Sequence, residues 1–147
     1  MKFIVLPKED AVKFSSKKQD NRFVIIYIGN VGDDEVVFEE NSKLMAVLPL
    51  NFNDIDGGDG SISEDQAQSV VSFVKEWENS VGLIVIHCSA GVSRSAGVCA
   101  ALMLWLNGDD SPIFDNAFYK PNMRCYRTML NAICEGEQYE KNKPSTT

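Results

Sequence analysis

Histidine is nearly absent from this chain: His87 is the only one among 147 residues. A Ser-His-Asp triad away from that position is thereby excluded, as is a zinc site built from several imidazoles. A proton donor for catalysis must be sought mainly among the carboxyl groups. Cysteine is scarce too. Cys88, Cys99, Cys125 and Cys134 form no C-x-x-C pair and fall short of the disulfide density of a small secreted scaffold, so free thiols are expected. No run approaches the roughly 18 apolar residues of a membrane span. The apolar part of Met1-Lys2-Phe3-Ile4-Val5-Leu6-Pro7 is also too short for a secretion signal. A cytoplasmic setting is the expectation. Positive charge is in deficit, with 14 Lys and Arg against 21 Asp and Glu, a net charge of −7. That balance disfavours nucleic acid or an anionic membrane as the main partner, because both call for a basic face. Internal repeats and Pro/Gly/Ser-rich linkers are missing as well. One domain over residues 1–137, followed by a polar tail over 138–147, is the resulting reading.

What is present alternates between two periodicities. Phe3–Leu6 reads as a short strand stopped by Pro7, and residues 8–15 as a short helix resting on Ala11, Val12 and Phe14. Phe23–Ile28 is a near-continuous β-branched and aromatic run, the pattern of a strand buried on both faces. A polar turn over Gly29–Glu35 and a short edge segment at Val36–Phe38 follow. Leu44–Leu50 is a further strand, with Pro49 confining its end to an edge or an exit. The Gly- and Asp-rich stretch Asn51–Gly60 reads as a mobile surface loop. Ser63 and Gln66 make a capping box, and Ala67, Val70, Val71, Val74 and Trp77 fall at helical spacing behind it, to about Ser80. Leu83–His87 is the most buried strand candidate. From Ser93 a helix carries Val98, Leu102 and Leu106 inward and stops at Asn107-Gly108. Ser111-Pro112 looks like a cap and first turn of a short helix to about Ala117. A last helix from Pro121 uses Met123, Tyr126, Leu130 and Ile133. Cys99, Cys125 and Cys134 sit in helical apolar patterns and are expected in the core, which leaves pairing of one of them with an oxidised Cys88 open. The fold class is α/β: three layers, with a mostly parallel central sheet of four to five strands flanked by helices.

The most informative run is His87-Cys88-Ser89-Ala90-Gly91-Val92-Ser93-Arg94-Ser95, which lies between the buried strand and a helix. A strand, a tight glycine-bearing loop and a helix N-terminus direct successive backbone N–H groups at one concave side, a nest for an anion that the helix dipole reinforces. Gly91 supplies backbone freedom, and the small Ser89, Ala90, Val92 and Ser93 leave the cavity open. Arg94 can grip two phosphate oxygens with its planar fork. In the same field a cysteine thiol at a helix N-terminus loses its proton far more readily than a free one, which makes Cys88 a nucleophile under the phosphorus. Ser95 can hydrogen-bond the sulfur and help it leave. His87 is expected to orient the loop through a backbone partner. An ester leaving group still needs a proton, and Asp54 on the mobile loop after a strand is the first choice, ahead of Asp56 and then Asp59.

These residues resemble the cysteine-dependent protein tyrosine phosphatases, whose signature H-C-x5-R-[ST] is met at every fixed position by His87, Cys88, Arg94 and Ser95. The surrounding chain is most similar to the small dual-specificity branch and to compact microbial tyrosine phosphatases. Leu48-Pro49-Leu50-Asn51-Phe52-Asn53-Asp54 is similar to the strand and loop that end in the family's general acid. Pro121-Asn122 is similar to a pair that opens a late helix near the active site, which adds Asn122 to the substrate-binding candidates Ser89–Ser93. The resemblance implies a phosphocysteine intermediate, no metal or other cofactor, a phosphorylated protein or peptide as substrate, and inhibition by vanadate and by thiol oxidation. The acid loop lacks a Trp-Pro-Asp sequence, so Asp54 is assigned by position. Two other readings compete. One is a pseudophosphatase module that binds phosphorylated partners without turnover, usually marked by loss of the cysteine or the arginine, and neither is lost here. The other is a phosphatase for a non-protein phosphate monoester. The run contains no lysine, which weighs against an inositol polyphosphate.

Overall fold

A computed structural model describes residues 1–141, with side chains through Gln138. Its elements are β1 (Lys2–Pro7), α1 (Lys8–Ser16), β2 (Phe23–Gly29), β3 (Leu44–Asn51), α2 (Glu64–Trp77), β4 (Leu83–Cys88), α3 (Arg94–Asn107), α4 (Ser111–Phe114) and α5 (Met123–Lys141). The strands form one sheet in the order β1-β4-β2-β3, and every neighbouring pair is parallel. β2 and β4, the two apolar runs, are central and buried at every residue. β3 lies at one edge, where Pro49 costs the sheet no ladder bond on its open side.

Alternation along the strands splits the core in two. Val24, Ile26, Ile28, Ile84 and Ile86 join the larger cluster with side chains of α2, α3 and α5. Phe23, Ile25, Leu83 and Val85 face the other way, under Phe14 of α1 and Phe38 of the long β2–β3 connection. The result is the expected three-layer α/β arrangement, with a four-stranded, wholly parallel sheet. Helix α3 runs through the centre, and every residue from Arg94 to Leu102 is buried. At Gly97 a Cβ would run into the backbone carbonyl of Asn122, so only glycine lets α3 and the entry to α5 approach this closely.

Several local expectations shift. Val36–Phe38 pairs with no strand and is irregular; Phe38 instead packs its ring on His87, giving the segment a side-chain anchor in place of a ladder. In α1 the fully buried positions are Ala11 and Ser15, while Val12 and Phe14 are half-buried. The Ser63–Gln66 capping box forms with both reciprocal bonds, and α2 closes at Trp77, before Ser80. Asp110 rather than Ser111 takes the N-cap position of α4, because Ser111 already lies in the first turn and its N–H donates to Asp109; the helix stops at Phe114, short of Ala117. In α5 the buried stripe is Cys125, Thr128, Met129, Ala132 and Ile133, with Met123, Tyr126 and Leu130 half-buried at its margins. Cys134 falls one position past that stripe and is exposed, so its expected core place is corrected. α5 continues through Gln138 to Lys141, and the remainder of the expected polar tail lies outside the described residues.

Candidate active site

Because every strand pair is parallel, the carboxyl ends of all four strands meet on one side of the sheet, the usual place for a site in such folds. Cys88 is the last residue of β4, residues 89–93 form the loop, and Arg94 opens α3. Gly91 is buried with φ +68°, and a Cβ there would sit 2.6 Å from the Pro7 nitrogen and 2.7 Å from the Leu6 carbonyl carbon. The end of β1 thus presses on the loop, and the tight turn requires glycine. The loop's outer carbonyls are taken by neighbours. Lys8 N–H donates to Ser89 O at 3.3 Å, Lys120 N–H to Val92 O at 3.0 Å and Asn122 N–H to Ser93 O at 3.0 Å. Of the backbone donors, the Gly91 and Ser95 N–H groups are directed at the Cys88 sulfur.

Cys88 Sγ lies 3.0 Å from Ser95 Oγ, as expected. Burial pushes this thiol up, but the Ser95 hydroxyl, the backbone N–H groups of Ser95 and Gly91, and the Arg94 charge together bring it below its ordinary value. Cys99 and Cys125 lack that set of donors. Burial raises both, Cys125 to about 12, and keeps them protonated.

Arg94 is only 5 % exposed. Its Nη1 donates to Phe52 O at 2.7 Å, Asn30 Oδ1 at 2.8 Å and Gly29 O at 3.2 Å, and Nη2 donates to Ser89 Oγ at 3.3 Å. The guanidinium is therefore fixed from the ends of β2 and β3. Sequence reasoning did not single out Asn30, nor the Gly29 and Phe52 carbonyls. The signal was available, because each lies at or just beyond the carboxyl end of a parallel strand.

Asp54 reaches the loop from β3. Its Oδ1 accepts from Ser93 Oγ at 2.8 Å and from Asn122 Nδ2 at 2.8 Å. Asn122 also donates to Ile55 O at 3.1 Å. The 51–60 loop is tied down at its root, where Asn53 N–H meets Gly60 O at 2.6 Å and Val31 N–H meets Asn53 Oδ1 at 3.1 Å. Asp56 and Asp59 are exposed on the same loop, and among the described residues Asp54 alone of the three bonds to Ser93. Two sets of contacts therefore meet on this loop: Gly91, Arg94 and Ser95 act on Cys88, with Ser89 bonded to Arg94, and Ser93 and Asn122 hold Asp54; Ala90 and Val92 complete the loop between them.

His87 departs from expectation. It is fully buried, and neither Nδ1 nor Nε2 has a hydrogen-bond partner. The backbone partner expected for it is absent because the ring points into an aromatic box. Its centroid lies 4.8 Å from that of Tyr27 and 5.7 Å from that of Phe38. Burial, with help from the Lys8 charge, lowers its pKa to about 4, so the imidazole is neutral at ordinary pH.

Among the described residues, no group of three or more His, Cys, Asp and Glu side chains is arranged to hold a metal ion, and no helix is long and apolar enough to cross a membrane. A family model described as protein-tyrosine phosphatase matches residues 59–141. Dual specificity protein phosphatase 2 of Mus musculus is 43% identical over 37 residues, which is 25% of this chain and 12% of that protein. The fold is similar to the Yvh1 phosphatase domain from Chaetomium thermophilum, with TM-score 0.61, 18% identity and 91% of each chain covered. PTPMT1 in complex with PI(5)P superposes with TM-score 0.61 at 15% identity, covering 95% of this chain and 94% of the other. For human DUSP28 the values are 0.57 and 14%, with 91% and 88% covered.

Proposed function

Since the chain belongs to the protein-tyrosine phosphatase family, we propose that it hydrolyses phosphate monoesters of phosphorylated proteins or peptides, phosphotyrosine first among them, through a phosphocysteine on Cys88. The thiolate attacks phosphorus in line, and the P–O bond to the leaving group breaks as a new S–P bond forms. Arg94 and the N–H groups of residues 89–93 hold the three equatorial oxygens, whose charge they stabilise in the loose transition state. Asp54 hands its proton to the departing oxygen. With two donors occupying Oδ1, Oδ2 is the atom that carries that proton. In the second half, Asp54 accepts a proton from water as the water attacks the S–P bond, and the Ser95 hydroxyl stabilises the leaving thiolate. Each role falls to a residue of this chain.

The observation that carries this reading is the 2.8 Å bond from Ser93 to Asp54, which draws a carboxyl 39 positions away onto the loop that bears the cysteine and the arginine. Hydrolysis of p-nitrophenyl phosphate should vanish in Cys88→Ser, and turnover surviving that change would refute the mechanism. Asp54→Ala should slow alkyl phosphates far more than aryl ones, because aryloxide leaves without a proton. No change on either would move the acid role to Asp56.

A further inference from the structure

Among the described residues no hydrogen bond joins Arg94 to Asp54, yet one short turn of chain is bonded to the surroundings of both. Resting on the phosphatase reading above, we propose that Asn30 and Asn53 are positioning residues that lock the phosphate-gripping arginine and the acid into one register. Asn30 follows directly on β2, and its Oδ1 accepts from Arg94 Nη1 at 2.8 Å. Two reciprocal bonds close the turn behind it. Asn30 N–H donates to Asp33 Oδ2 at 3.0 Å, and Asp33 N–H donates to Asn30 O at 3.1 Å. Val31, the next residue, donates its N–H to Asn53 Oδ1 at 3.1 Å. Asn53 is itself anchored, since its N–H donates to Gly60 O at 2.6 Å and its O accepts from Ile55 N–H at 2.9 Å. Asp54 comes next in the chain, its carboxyl held by Ser93 and Asn122. The Val31–Asn53 bond therefore has a residue bonded to Arg94 beside one end and the acid beside the other.

The partners of the arginine explain why a neutral amide suits position 30. A guanidinium has five N–H donors. Nη1 meets three acceptors, Gly29 O, Asn30 Oδ1 and Phe52 O, which engage both of its hydrogens, and Nη2 gives one to Ser89 Oγ. Nε–H and one Nη2 hydrogen are left for two oxygens of a bound phosphate. All four acceptors are uncharged. Carboxylates follow close by at Asp33, Asp34 and Glu35, and that of Asp33 is taken by the Asn30 N–H. Arg94 is thus oriented without being neutralised, and its whole charge faces the incoming dianion. A carboxylate at position 30 would orient the fork equally well but would compete with phosphate for that charge.

The test reads two quantities on variants that keep a native melting transition: affinity for inorganic phosphate, and the ratio of kcat on alkyl to kcat on aryl phosphates. Neither depends on the fraction of active protein, so a merely structural loss moves neither. Asn30→Ala should weaken phosphate binding about tenfold, the scale of one hydrogen bond to a charged group. Asn30→Asp keeps the acceptor but adds a counter-charge, and should weaken phosphate binding by a similar factor at neutral pH. Asn53 bonds to neither Arg94 nor the Asp54 carboxyl. Asn53→Ala should nonetheless weaken phosphate binding and lower the alkyl-to-aryl ratio about fivefold, part of the roughly hundredfold or more that a general acid supplies. Full phosphate affinity in Asn30→Ala overturns the proposal, and full affinity in Asn30→Asp overturns the need for a neutral acceptor. A single effect in Asn53→Ala, or none, shows that the turn does not link the two groups. Phosphate titration needs no turnover, which separates the two readings. A wild type that hydrolyses no ester yet binds phosphate through both asparagines defeats the phosphatase reading and keeps the positioning. Hydrolysis with phosphate affinity unmoved in all three variants defeats the positioning alone.

Discussion

The side-chain amide of Asn122 donates to Oδ1 of Asp54 at 2.8 Å, across 68 positions of sequence. Its other end is equally occupied, since Asn122 Oδ1 accepts from Cys125 N–H at 3.0 Å and caps α5. One side chain therefore braces the 51–60 loop against a helix that is itself packed on α3 at Gly97. Under the proposed mechanism Asn122 would be a positioning residue.

Asn122→Asp separates its two duties. The carboxylate still caps α5 but no longer donates to Asp54 and sets a like charge beside it, so thermal stability should fall at neutral pH and recover as the pair takes up a proton. Turnover of alkyl phosphates should fall about tenfold, the scale of a misplaced general acid, with a smaller effect on aryl phosphates. Asn122→Ala loses the cap as well and should cost about 1 kcal/mol of stability. Unchanged kcat on alkyl esters in Asn122→Asp would show that the bond to Asp54 does nothing for the reaction.

Ser95 should set the acid side of the pH profile. The Cys88 pKa is below its ordinary value, so the thiolate fraction rises with pH through a midpoint lower than that of a free thiol and is then constant. Burial pushes the other way, and the Ser95 hydroxyl is the largest of the opposing influences. Ser95→Ala should move the midpoint of iodoacetate alkylation to higher pH and slow dephosphorylation of the phosphocysteine, visible as a larger burst relative to the steady rate. A midpoint that does not move would remove Ser95 from the account.

How much of this was legible in the sequence depends on contiguity. Cys88, Arg94, Ser95 and the small residues between them lie in one run whose geometry follows from strand, loop and helix, so their mutual placement could be read directly. The capping box at Ser63 and the twin buried strands were readable for the same reason. For Asn30 and the Phe52 carbonyl the signal was only their place at the carboxyl ends of parallel strands; spacing does not pair them with Arg94, which they meet once β2 and β3 are laid side by side. Cys134 was misplaced by helical phase: one residue beyond Ile133 is enough to turn a side chain from the core to water. Buried polar atoms ordinarily have a hydrogen bond, so a partner is the default expectation for His87, and here the rings of Tyr27 and Phe38 stand in its place.

That box gives His87 a measurable effect on stability. Its folded pKa of about 4 lies below the ordinary 6.5, so the unfolded chain takes up the proton first. The neutral ring therefore contributes fully above about pH 6.5, and the contribution is lost as pH falls through about 4, a total of about 3 kcal/mol by linkage. Melting temperature should drop across that window in the wild type. His87→Leu should flatten the drop without deepening it, because an apolar replacement leaves no unpaired nitrogen behind. An equally steep drop in His87→Leu would assign acid sensitivity to the carboxylates instead.

Gly91 tests whether the loop must be held at this shape. Its φ of +68° strains any L side chain, and a Cβ would stand 2.6 Å from the Pro7 nitrogen. That neighbour is backbone at the β1–α1 junction and cannot swing aside as a side chain would. Gly91→Ala must therefore displace the loop, the start of α1 or both, and the Gly91 N–H that faces the Cys88 sulfur moves with it. A shift of about 1 Å in such a site lowers turnover by about two orders of magnitude. Because the N–H also helps hold the thiolate, the Cys88 midpoint should rise in the same variant; unfolding would raise it too, so the variant must first show a native melting transition. Alkylation kinetics across pH on folded Gly91→Ala protein reads both effects, and wild-type turnover in that variant would show the loop to be more pliant than its contacts with Leu6 and Pro7 imply.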